Sequence, residues 1–142
     1  MHNAFRYFNP NDGGNITVLT YLLSQRGVNG DTKGQYGHTL LDWACININA
    51  LPIEIFKLLI EKHGADFNAQ NNDNDTPIYR TLRYFDPNKG GDISVLQYLS
   101  NQTNTKGKDG YTILHYACGN INKLPIEIFK LLIETLGYDV NA

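Results

Sequence analysis

Leu51-Pro52-Ile53-Glu54-Ile55-Phe56-Lys57-Leu58-Leu59-Ile60-Glu61 recurs letter for letter, 73 positions later, as Leu124-Pro125-Ile126-Glu127-Ile128-Phe129-Lys130-Leu131-Leu132-Ile133-Glu134. The match spreads outward from that core. Ala44-Cys45 pairs with Ala117-Cys118, Trp43 with Tyr116, and Asp66-Phe67-Asn68-Ala69 with Asp139-Val140-Asn141-Ala142. A second set of segments lies 77 positions apart: Arg6-Tyr7-Phe8-Asn9-Pro10 with Arg83-Tyr84-Phe85-Asp86-Pro87, and Val18-Leu19-Thr20-Tyr21-Leu22 with Val95-Leu96-Gln97-Tyr98-Leu99. The offset drops because the connector after Leu99 is four residues shorter than the one after Leu22. Self-similarity at a fixed spacing is the mark of stacked repeats, each of which needs its neighbours to bury its apolar faces.

Each half is itself double. Thr39, Thr76 and Thr112 open short helix-like stretches at steps of 37 and 36 residues. A loop, a longer amphipathic helix and a turn-rich connector follow each. In the longer helix the spacing predicts Ile53, Phe56, Leu59 and Ile60 on a buried face, with Glu54, Lys57 and Glu61 on another. Pro52 and Pro125 suit a first helical turn, where no amide donor is needed. Gly64 and Gly137 suit helix stops. The connectors at 64–75 and 106–111 carry Asn, Asp and Gly, residues that tolerate tight turns.

Composition bounds the function classes. The chain has 142 residues, enough for one ordinary domain or a short array. Apolar residues make up 42% and charged residues 18%, the balance of a globular protein. The net charge of −2 lacks the basic excess of a phosphate-binding surface, so nucleic acid is not expected as a partner. No apolar run approaches a membrane span, and Met1-His2-Asn3-Ala4-Phe5-Arg6 does not read as a signal peptide. Two cysteines, Cys45 and Cys118, form no disulfide framework, so a reducing, cytoplasmic setting is expected.

Several letters suggest chemistry and carry blander readings. His115 and Cys118 share a helix face at i, i+3, but Cys45 has Asp42 in the equivalent place, and a cysteine at a small, buried repeat position is simple packing. Asp86-Pro87-Asn88-Lys89-Gly90-Gly91-Asp92 alternates oxygen donors as a calcium loop would, yet Gln97 stands where the closing Glu is needed. A turn ending in a helix cap at Asp92, or at Asn15 in the other copy, explains the same letters. Gly13-Gly14 and Gly90-Gly91 lack the motifs of phosphate loops. No catalytic residue, metal or cofactor is expected. Aromatics recur near the turns and short helices: Tyr36, Trp43, Tyr84, Tyr111 and Tyr116. Such side chains favour interaction hot spots. For Trp43 and Tyr116, packing between repeats and contact with a partner are equally open readings.

Together these residues resemble ankyrin repeats, whose signature runs Thr-Pro-Leu-His-x-Ala. Thr112-Ile113-Leu114-His115-Tyr116-Ala117 is similar, with Ile in the Pro place; Thr76-Pro77-Ile78-Tyr79 keeps the Pro; Thr39-Leu40-Leu41-Asp42-Trp43-Ala44 has Asp in the His place. The repeats run three to four residues longer than the family norm, mainly at 85–91 and 120–123, and Asn74 stands where Gly is usual. The resemblance covers about four units, near 1–34, 35–71, 72–107 and 108–142, the first truncated. It implies an all-α, ankyrin-type helical-repeat solenoid with short β-hairpin-like connectors. It also implies a non-catalytic protein–protein interaction module, holding a protein partner through hairpin tips and the concave face. Carried over by position, the partner-binding residues are Gln35, Tyr36 and His38; Asn72, Asp73 and Asp75; Arg83 and Tyr84; and Lys108, Asp109 and Tyr111, joined by Trp43 and Tyr116 as the aromatic candidates. The second reading is a substrate-recruiting segment of a larger enzyme, or of a secreted bacterial effector acting in the host cell cytoplasm, with its catalytic domain elsewhere. Ile126, Phe129, Leu132 and Ile133 repeat the apolar face of the internal helix without a following repeat, so an excerpt of a longer array or end-to-end self-association is expected.

Overall fold

The computed structural model describes residues 2–6, 8, 16–73, 75–102 and 113–135. Asn74, Lys108, Asp109, Tyr111, Thr112, Asn15 and Gly137 lie outside the described residues, as does the side chain of Gln35. Among the described residues there are eight α-helices and no strand. They are α1 (His2–Arg6), α2 (Ile16–Leu23), α3 (Leu40–Ile46), α4 (Ile53–Lys57), α5 (Pro77–Tyr84), α6 (Ile93–Gln102), α7 (Ile113–Gly119) and α8 (Ile126–Lys130).

The short helices form one layer, with α3 packed on α1 and on α5, and α5 on α7; in the other layer α6 packs on both α4 and α8. The identical helices α4 and α8 therefore lie in alternate units, on either side of α6. This is the order a repeat stack requires. One continuous core runs through it, with Phe5, Leu41, Phe56, Leu82, Leu96 and Ile128 all fully buried.

Local chemistry explains the helix ends. Thr39 caps α3: its hydroxyl accepts from the Asp42 amide (3.2 Å), and the Asp42 carboxylate accepts from the Thr39 amide (2.9 Å). This reciprocal box satisfies two amides that the first turn leaves without partners. Pro52 and Pro125 stand one place outside the helix, as caps with extended backbone, rather than in its first turn. The missing amide is equally harmless there. Gly64 stops the long helix at φ +66°, a left-handed conformation that suits glycine.

The buried face of α4 differs from the periodic expectation. Ile55, Phe56 and Leu59 are buried, while Ile53 and Ile60 are only half-buried. Past Leu58 the helix widens into a π turn (Leu58–Lys62), where the His63 amide donates to the Leu58 carbonyl (3.0 Å). The wider turn displaces Ile60 from the 3.6-residue period. The same π turn follows α8, at Leu131–Thr135.

Candidate functional site

Two ladders of polar contacts join successive units, one along the connectors and one along the loops between paired helices. On the connector side the Asn72 amide donates to the Tyr36 carbonyl (3.1 Å), the Asp66 amide to Asp31 Oδ1 (3.0 Å) and Lys33 Nζ to the Gln70 carbonyl (2.9 Å). Within one connector the Gly34 amide donates to the His38 carbonyl (2.8 Å), closing a tight turn. Gly37 has φ +72°, and a side chain there would collide with Asn72 Oδ1. Next along, Asn71 Oδ1 accepts from the amides of Asp73 (2.8 Å) and Asp75 (3.1 Å), which shapes the tip carrying exposed Asn72 and Asp73.

On the opposite side asparagines do the joining. Asn47 Nδ2 donates to the Phe5 carbonyl (2.9 Å); its copy Asn120 donates to the carbonyls of Leu82 (2.7 Å) and Phe85 (3.1 Å). Asn49 donates to the Tyr84 carbonyl (2.7 Å) and accepts from the Asp86 amide (2.7 Å). The longer loops thus build contacts between units, and Lys123 Nζ adds an ion pair to Asp86 (3.2 Å). Desolvation would raise the Asp86 carboxyl, but the Asn88 amide and Lys123 outweigh it and hold the group below its ordinary value. With both partners in place, that loop is a capped turn; Asp92 likewise accepts from the Ser94 amide (2.8 Å).

The candidate contact residues fall into two groups. Around the first connector, Tyr36 is 60% exposed and His38 is buried beneath it. The His38 ring lies edge-on to Tyr36 (6.2 Å between centroids) and to half-buried Trp43 (5.0 Å). His38 was expected among the contact residues; its burial against Trp43 and Asp42 makes it a support for Tyr36 instead. His38 Nδ1 lies 3.7 Å from Asp42 Oδ2. Burial is the largest influence on both groups: it lowers the His38 pKa and raises that of Asp42, each against the partly compensating attraction of the other.

In the second group, around α5 and α7, Tyr79 stacks on half-buried Tyr116 (centroids 4.1 Å apart, rings 14° from parallel). Arg83 and Tyr84 are exposed, the guanidinium 5.6 Å from the Tyr84 ring centre. Arg83, His115, Tyr116, Gly119 and Asn120 line an open cleft of about 390 Å³. Asp75 pairs with buried Arg80 (3.8 Å).

Tyr79, Arg80 and Asn120 belong to this surface, although none was expected there. The signal for Asn120 is its duplicate, Asn47. Cys118 was expected to be buried and is exposed; Cys45, the equivalent residue, is sealed under α5, where burial pushes its thiol up and the Thr81 hydroxyl only partly opposes the shift. Among the described residues no three His, Cys, Asp or Glu side chains gather as metal ligands. No helix among them is long and apolar enough to cross a membrane.

A family model of ankyrin repeats, in three copies, matches residues 52–142, more than half of the chain. No curated protein matches it. Residues before 52 join the same stack, since the bond from Asn47 to Phe5 repeats that from Asn120 to Leu82. Periodicity, stacking order and family match agree: the chain belongs to the ankyrin-repeat family, whose members are generally modules for protein–protein interaction.

Proposed function

We propose that this chain is a non-catalytic module that holds a protein partner against the face formed by its connector tips and short helices. Tyr36 carries the reading. It is a bulky residue at φ +61°, in the left-handed region that disfavours side chains by roughly 1–2 kcal/mol, and its ring stands mostly in solvent. Glycine would suit that backbone better. A strained residue retained at an exposed tip points to a use for its side chain outside the fold. His38 and Trp43 hold the connector beneath it, so the ring is presented on a rigid base.

The cleft between α5 and α7 supplies a second anchor. Arg83 offers a charge and Tyr116 an apolar wall, a combination that suits an acidic side chain flanked by an apolar one. Asn72 and Asp73 lie on the connector between the two anchors in sequence.

The test separates binding from folding. In Tyr36→Gly the melting temperature should hold or rise, by up to about 1 kcal/mol in stability, as left-handed strain is relieved. Proteins cross-linked to the native chain should be lost from Tyr36→Gly and Arg83→Ala. Capture of the same proteins in the same yield by both variants would refute the reading.

A further inference from the structure

The two outer faces of this stack are the halves of an interface that the molecule already contains. By the 73-residue offset, α7–α8 copies α3–α4; by the 77-residue offset, α1–α2 copies α5–α6. Inside the molecule, the α3–α4 unit packs against the α5–α6 unit through α3 on α5 and α4 on α6. The face presented by α7–α8 is therefore shaped for a surface of the α1–α2 kind.

Exposure follows this duplication residue by residue. Val18 is 53% exposed, whereas its copy Val95 is fully buried; Ile121 is 61% exposed, whereas Ile48 is buried. Ile126 is 64% exposed, whereas Ile53 is half-buried. Neighbours that face the stack show no such difference: Leu19 is buried like Leu96, and Leu124 like Leu51. The polar contacts have matching halves too. At the internal junction the Tyr98 hydroxyl donates to Glu61 Oε1 (3.0 Å), and Lys57 Nζ lies 5.6 Å from the centre of the Tyr98 ring. The copies of those residues are Tyr21 on one outer face and Glu134 and Lys130 on the other, all exposed.

We propose that copies of this chain associate head to tail, the α7–α8 face of one seating on the α1–α2 face of the next in the register of the internal α3–α4/α5–α6 junction. Val18 then takes the place of Val95 and Ile121 that of Ile48, while Tyr21 meets Glu134 and Lys130 of the neighbouring copy. The contact joins two different surfaces, so it does not close on itself, and each added copy presents a fresh face. It also leaves the Tyr36 connector tip outside the mating surfaces, so loss of partner binding in Tyr36→Gly and loss of association are separable.

Sedimentation velocity on the 142-residue chain tests this. The native chain should show a weight-average sedimentation coefficient that climbs with concentration without reaching a dimer plateau. Val18→Glu and Ile126→Glu alter residues that are more than half exposed, so each variant should keep the native circular dichroism. Each variant alone should sediment as a monomer. Mixed one to one they should form dimers and nothing larger, because one keeps a sound α7–α8 face and the other a sound α1–α2 face. A native chain that stays monomeric to its solubility limit would overturn the proposal. So would a closed dimer that survives either substitution, or a mixture that remains monomeric.

Discussion

Tyr36, His38 and Trp43 show how one connector divides labour among three rings. The outer ring is exposed, the inner two are packed, and the turn beneath is held by Gly37 and Asn72. The exposure of Tyr36 could be read beforehand, because it sits beside a turn glycine. The burial of His38 could not, because it depends on Trp43 and on the Asp42 cap folding over the same spot. That burial has a pH consequence. His38 faces Asp42, Arg80 and Asp73, and its pKa lies below the ordinary 6.5, chiefly because charging it in the interior is unfavourable. The unfolded chain therefore binds a proton at a pH where native His38 does not. His38 contributes its full stability above pH 6.5, and that contribution shrinks as pH falls through 6.5 toward the native value. Denaturant midpoints measured from pH 7 downward should fall more steeply in the native chain than in His38→Gln. Its ring signals in a proton magnetic resonance titration should move below pH 6.5.

At the scale of elements, the long helices were legible because eleven identical letters impose one period twice. The π turn at Leu58–Lys62 was not, since it shifts hydrogen bonds without changing the residue types that favour helix. The asparagine ladder was hidden for a different reason. Asn47, Asn49 and Asn120 reach partners 35 to 42 residues away, a range that no local pattern reports. Read alone, these residues suggest loops or a bias in composition; in the fold they bind backbone carbonyls at the ends of neighbouring helices. The extra loop length beyond the family norm thus has a structural use. Asn49→Ala removes one donor and one acceptor, leaving the Tyr84 carbonyl and the Asp86 amide without their partner. It should cost about 1–3 kcal/mol in urea unfolding. An exposed alanine control, Asn101→Ala on α6, should change stability by less than about 0.5 kcal/mol.

Across the whole molecule, stability is shared between units rather than gathered at one centre, because each helix pair rests on its neighbours. The candidate site inherits that arrangement: Tyr36 belongs to the second unit and Asp73 and Arg83 to the third, and the cleft spans the third and fourth. That the candidate residues spread over several units is a property of stacking, which the repeat spacing predicted. The identity of the cleft lining needed the structure, because Tyr79 and Tyr116 meet only where α5 lies on α7.

The unequal fates of Cys45 and Cys118 turn this protein into its own gauge. At a dilution where the chain is monomeric, a maleimide dye should modify Cys118 at once and leave Cys45 untouched, so electrospray mass spectrometry of the native chain should show a single adduct. The second adduct should grow only as fast as the α3–α5 seam parts, timing in solution how often the middle of the array springs open.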